Sequence, residues 1–249
     1  MKKLIIANWK MNPQTLTEAK QLFNSIKKGV KIFKNIEVII CLPFTQISNL
    51  KSKILNLKLG AQNCFWEKEG AFTGEISPMM LKNLGVKYVM IGHSERRRYL
   101  NETDEMNNKK TKAVLSAGLK VILCIGSAQK GKREKIEITR QLKKTLFEVK
   151  KSDLKNIIFV YEPVWAISAT KGSAATSENA KQVALFIKKI LSKLFNVLPK
   201  IKIIYGGSVN SNNVQGFIEK AKINGVLVGA ASLDAKEFIQ IAKKISFFV

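Results

Sequence analysis

Eight short apolar runs recur along the chain, at residues 4–7, 38–42, 57–60, 88–91, 121–125, 157–161, 201–205 and 226–228. They are rich in β-branched residues and most are apolar at nearly every position. Strands with one wet face would alternate apolar and polar residues; near-continuous runs predict parallel strands covered on both faces. Between them, apolar residues repeat at helical spacing. Ala19, Leu22, Phe23, Ile26 and Val30 form one such set, Ala180, Val183, Ala184, Ile187, Leu191 and Leu194 a second, and Ala235, Phe238, Ile239, Ala242 and Ile245 a third. Thr15 and Glu18 precede the first set with the spacing of a capping box.

Strands alternating with helices imply right-handed βαβ units. Eight units without a Pro/Gly/Ser-rich linker fit a closed sheet better than an open one. The predicted fold is α/β: a single (β/α)₈ TIM barrel of eight parallel strands with outer helices, one catalytic domain spanning residues 1–249. The least patterned stretch, 127–135, is basic and is expected to be a surface loop.

Composition agrees with this picture. A chain of 249 residues with 46% hydrophobic content suits one such barrel and excludes disordered and fibrous classes. No apolar run approaches the roughly 18–20 residues needed to span a bilayer, so no membrane segment is expected. Residues 1–7 resemble the start of a signal peptide, but Asn8, Trp9 and Lys10 cut the run short and it reads as a first strand. Cys41, Cys64 and Cys124 are widely spaced and odd in number, which points to reduced thiols and a cytoplasmic location rather than disulfides or a metal site. The net charge of +25 favours anionic partners. Its lysines are scattered through every helical segment, and no basic stripe interleaved with aromatics suggests a specific nucleic-acid site.

In a parallel barrel the active site lies at the carboxyl ends of the strands. Each run is therefore read at its last residue. The first leads into Asn8-Trp9-Lys10-Met11-Asn12, where Lys10 is either a rim residue reaching water or a cation facing the site. The fourth leads into Gly92-His93-Ser94-Glu95-Arg96-Arg97, which holds the chain's single histidine. A helix starting there would disfavour an imidazolium and leave His93 a neutral hydrogen-bond donor. Glu95, Arg96 and Arg97 read as an ion-pair network shaping that loop. The sixth leads into Tyr161-Glu162-Pro163-Val164-Trp165-Ala166-Ile167. A carboxylate after an apolar strand is costly unless used, and partial burial would tune it toward a general base. The small, polar residues 168–176 that follow suit a lid with Ile167 at its tip or an ordinary surface loop. After the seventh and eighth runs come Gly206-Gly207-Ser208-Val209-Asn210 and Gly229-Ala230-Ala231-Ser232-Leu233, adjacent small-residue turns of the kind that hold phosphate.

Together these segments, with Ala61-Gln62-Asn63 and Gly70-Ala71-Phe72-Thr73-Gly74-Glu75, strongly resemble the triosephosphate isomerase family over essentially the whole chain. The resemblance implies a cofactor-free, metal-free interconversion of dihydroxyacetone phosphate and D-glyceraldehyde 3-phosphate, a step of glycolysis and gluconeogenesis. It implies that Glu162 carries the proton, that His93 and Lys10 stabilise the enediolate, and that Asn8 positions Lys10 or substrate. Ser168, Ser208, Gly229 and Ala230 would hold the phosphate. It also implies a homodimer through segment 65–76, from Phe65 to Ile76, with Thr73 near the partner's active site. The loop's aromatics, Phe65, Trp66 and Phe72, favour an interface.

The chain departs from the family at three places. Ser168-Ala169-Thr170 and Lys171-Gly172-Ser173 replace a glycine-bearing lid, which predicts an altered rate of lid closure. Ser127 stands where the family commonly has the glutamate that holds the lid tryptophan, here Trp165. Ala230 replaces a usual glycine and would shift the turn if that position needs positive φ. Two other functions compete. One is another isomerase or aldolase of phosphorylated sugars on the same barrel, for which Lys58 and Lys202 are the strand lysines available to form a Schiff base. The other is weak, salt-sensitive nucleic-acid binding driven by charge.

Overall fold

The structure, a computed structural model, describes residues 2–166, 175–196 and 201–248. Eight parallel strands close in chain order into a barrel: β1 (Lys3–Asn8), β2 (Ile36–Leu42), β3 (Leu57–Ala61), β4 (Tyr88–Ile91), β5 (Lys120–Ser127), β6 (Ile157–Pro163), β7 (Lys202–Tyr205) and β8 (Gly225–Val228). Around them lie α1 (Leu16–Val30), α2 (Phe44–Ile47), α3 (Pro78–Asn83), α4 (Ser94–Tyr99), α5 (Asp104–Ser116), α6 (Lys132–Thr145), α7 (Ser177–Phe195), α8 (Val214–Glu219) and α9 (Ala235–Ser246). None of the described helices is long and apolar enough to cross a membrane.

Each predicted run is a strand, within a residue or two at its ends, because each is buried on both faces. One face packs on the helices. The other fills the barrel with Leu4, Ile6, Ile39, Cys41, Tyr88, Met90, Ile122, Cys124, Ile158, Val160, Ile204 and Leu227. Side chains alternate along a strand, so Asn8 continues the inward file of Leu4 and Ile6, and Glu162 that of Ile158 and Val160. The same alternation places Lys58, paired with Ile39, and Lys202, paired with Ile158, in the inward file at the opposite end of the barrel from Glu162. All three cysteines are buried and free. Burial pushes the Cys64 thiol up to about 12, as expected of core residues rather than nucleophiles.

The capping box at Thr15 and Glu18 is formed in both directions, an arrangement worth about 1 kcal/mol. The buried residues of α1, α7 and α9 are mostly those of the predicted apolar stripes. Leu194 is an exception: it lies in the last turn of α7 and is exposed.

Segment 127–135 is a surface loop only over 128–131. Ser127 ends β5 and is buried, and α6 begins at Lys132. Gly131, at φ +76°, makes the turn into the helix. The helix's buried residues are Glu134, Ile138, Gln141, Leu142 and Thr145, at helical spacing but three of the five polar, so apolar periodicity does not reveal it. Residues 168–174 of the expected lid, with Ile167, lie outside the described residues. Thr176, at its predicted end, caps α7 instead.

Candidate active site

The rim builds outward from Glu162. It lies in β6, not beyond it, and is 2% exposed. On one side Gly126 of β5 faces it in register, and a Cβ there would lie 1.8 Å from the Glu162 carbonyl oxygen. On the other, a Cβ on Gly206 would sit 2.5 Å from Val160 and 3.3 Å from Glu162 Cγ. Only glycine lets the neighbouring chains approach this closely. The carboxylate is held from above: the Ser94 amide donates to Oε2 at 3.0 Å. Oε1 lies 3.2 Å from His93 Nε2 but is not aligned with it and has no donor. Below, Cys124 is fully buried; burial and the adjoining Glu162 carboxylate push its thiol well up.

His93 is the N-cap of α4, as expected, and is 7% exposed. The Glu95 amide approaches Nδ1 at 3.3 Å. A backbone amide can only donate, so Nδ1 accepts and the proton of a neutral ring sits on Nε2. Asn8 Nδ2, which can only donate, lies 3.3 Å from that same nitrogen and makes no bond to it in this tautomer; it donates to Met90 Sδ at 3.7 Å.

Lys10 has left-handed backbone, φ +53°, rare for a residue with a side chain. Two bonds hold it there. Its amide donates to Asn8 Oδ1 at 3.0 Å, and Gln62 Nε2 donates to its carbonyl at 2.8 Å. Nothing in the sequence alone assigned Gln62 this task. The ammonium of Lys10 meets Glu95 Oε1 at 2.6 Å. Glu95 therefore does not pair with Arg96 and Arg97 as expected. Those arginines turn to acidic residues on the other side of α4: Arg96 to Glu102 at 2.5 Å and Arg97 to Asp104 at 2.6 Å.

The turns after β7 and β8 line one cavity of about 450 Å³ with Lys10, His93, Ser208, Gly229 and Ala230 on its walls. Ser208 Oγ donates to the Ala166 carbonyl at 3.2 Å, and Gly229 precedes a 3₁₀ turn, Ala230–Leu233. Ala230 does not have positive φ, so replacing a glycine there leaves this turn unstrained. Glu162 lines the adjoining cavity with Ser94, Gly126 and Trp165. Asn8 and Lys10 line a third recess of about 330 Å³ with Met11, Gln62, Tyr99 and Leu100. Ser168, the remaining predicted phosphate ligand, lies outside the described residues. Among those described, no group of three or more His, Cys, Asp or Glu could hold a metal.

Segment 65–76 keeps its aromatics together. The Phe65 ring packs tilted against those of Trp66 and Phe72, with centroids 4.0 and 4.9 Å apart. Phe72 alone of the three is exposed, at 43%, which tempers the expectation of an aromatic-exposing loop. Thr73 is exposed at its tip.

Trp165 does find a carboxylate, but from an unexpected direction. Its Nε1–H donates at 3.2 Å to Oε1 of Glu134, on α6, while Ser127 Oγ accepts from the Gln129 amide. The lone signal in the sequence was an acidic residue amid the basic stretch 127–135.

Fold and rim together define a class: a (β/α)₈-barrel enzyme with a carboxylate, an imidazole and an ammonium at the carboxyl ends of its strands. A sequence model of the family described as "Triosephosphate isomerase" matches residues 3–245. The chain is 45% identical to triosephosphate isomerase of Dictyoglomus thermophilum, covering 97% of this chain and 99% of that one. It is 41% identical to that of Endomicrobium trichonymphae, over 97% and 98%. The crystal structure of triosephosphate isomerase from Bartonella henselae superposes with a TM-score of 0.84 at 34% identity, covering 98% and 99% of the two chains. The chain belongs to the triosephosphate isomerase family.

Proposed function

We propose that this chain interconverts dihydroxyacetone phosphate and D-glyceraldehyde 3-phosphate through an enediolate, with Glu162 moving the proton. The observation that carries this is the pairing at the rim. Glu162 Oε1 lacks a donor and lies 3.2 Å from His93 Nε2, the nitrogen that carries the ring proton in the tautomer whose Nδ1 accepts from the Glu95 amide. Glu162 takes the proton from one carbon and returns it to its neighbour. His93 Nε2–H donates to the oxygen on which charge develops, and the Lys10 ammonium balances that charge. A glutamate base beside a neutral histidine is the arrangement known for this family. Asn8 and Gln62 position Lys10. The cavity walls at Ser208, Gly229 and Ala230 receive the phosphate, with Ser168 as a further ligand.

A coupled assay with glyceraldehyde 3-phosphate, run on wild type and Glu162→Asp together, tests this. The shorter side chain withdraws the carboxylate by about one methylene, and a misplacement of that size costs on the order of a hundredfold in kcat with little change in KM. A near-normal kcat refutes Glu162 as base. The Schiff-base alternative would show as borohydride trapping with substrate, and the placement of Lys58 and Lys202 weighs against it.

A homodimer through segment 65–76 and a cytoplasmic location belong to the same reading. The recess beside Lys10 is rimmed by Met11, Tyr99 and Leu100, respectively 83, 65 and 56% exposed. Apolar side chains around an open recess suit a partner's loop, with Thr73 at its tip. Sedimentation showing a monomer at assay concentration would remove the dimer from the proposal.

A further inference from the structure

Glu134 is 6% exposed in the first turn of α6, although the residues around it in sequence are Lys132, Arg133 and Lys135. Burying a carboxylate beside lysines that stay in water is costly unless it is bound to something inside. One oxygen, Oε1, accepts from Tyr161 Oη–H at 2.7 Å and from Trp165 Nε1–H at 3.2 Å. Burial and this bond push the Tyr161 phenol far up, so it stays a donor. The two donors bracket Glu162, one residue before it and three after. The Lys130 ammonium lies over the Trp165 ring, 4.0 Å from its centroid. One anionic acceptor thus ties both sides of the Glu162 backbone to α6, where charge-assisted bonds are stronger than neutral ones.

We infer that Glu134 is a positioning residue for Glu162, an inference that rests on Glu162 being the base. The glycine contacts at Gly126 and Gly206 fix how closely β6 is flanked. They do not fix the tilt of its end, which is set by Tyr161 and Trp165. Without the shared acceptor, the donors turn away to find others and carry the Glu162 carboxylate with them. Glu134 touches neither substrate nor the reacting atoms, so its effect appears in kcat rather than in affinity.

The test is steady-state kinetics on Glu134→Ala and Glu134→Gln beside Glu162→Asp, with thermal unfolding of each. Glu134→Ala is expected to lower kcat about tenfold with KM within about twofold, and Glu134→Gln, which keeps an acceptor oxygen at the same reach, to recover to within about threefold of wild type. A kcat within twofold in Glu134→Ala, or a KM rising in step with the lost kcat, overturns the inference. If Glu134→Ala does not fold, Tyr161→Phe and Trp165→Phe decide. Each removes one donor and keeps a ring, and each is expected to lower kcat at constant KM. Wild-type kcat in both overturns the inference. If Glu162→Asp collapses kcat while these variants do not, the positioning role alone falls. If Glu162→Asp is near normal, the base assignment falls first.

Discussion

At the end of β6, Glu162 is held by an amide and two glycine walls beside the His93 ring, while the turns after β7 and β8 offer small residues and their own backbone to a cavity of about 450 Å³. The first region needs one atom in one place, so it is built from specific side chains that each have a specific holder. The second needs room and outward-facing amides, which many sequences supply. Mutations at the first should therefore act steeply and in kcat, and those at the second mildly and in affinity.

Four measurements break or sharpen that contrast. The largest effect is expected from Lys10→Met, which removes the cation proposed to balance the developing charge: kcat/KM should fall on the order of a hundredfold. Retained activity would mean that the strained φ of Lys10 serves the fold rather than the reaction. Next, Gly126→Ala forces a methyl against the Glu162 carbonyl. Overpacking of this kind typically costs about 1–3 kcal/mol, and urea unfolding should show at least that loss together with a depressed kcat. Ser208→Ala is expected to reduce kcat/KM about tenfold, the low end for one hydrogen bond to a charged group. Smallest is Ala230→Gly, expected within twofold of wild type because the turn does not use positive φ. A large gain there would show that the phosphate turn is as exacting as the end of β6. Raising ionic strength should also lower kcat/KM, since a net charge of +25 favours encounter with a dianion; no salt dependence would set steering aside.

The eight strands were legible because burial on both faces leaves almost no polar residue inside them. The three long amphipathic helices were legible for the same reason on one face. α5 and α6 were not, because their buried faces are mostly polar. α5 buries Asp104, Asn107, Asn108, Lys110 and Thr111, with Lys110 on Asn63 at 2.9 Å and also on Glu102. A pattern search for apolar spacing does not see a helix whose inner face is a hydrogen-bonding network. Glu95 was misread for a related reason: its neighbours in sequence are arginines, but its partner is Lys10, eighty-five positions away.

Local sequence sets the order and extent of the strands and the residues standing at their ends, because runs of apolar residues and chain direction are local properties. It therefore put Asn8, Lys10, His93, Glu162, Ser208, Gly229 and Ala230 at one rim. Only the tertiary structure decided which groups hold them: Gln62 on Lys10, the Ser94 amide on Glu162, and Glu134 on the tryptophan that Ser127 leaves without its usual acceptor. Those pairings join strands and helices far apart in the chain, and closure of the barrel is what brings them within hydrogen-bond reach.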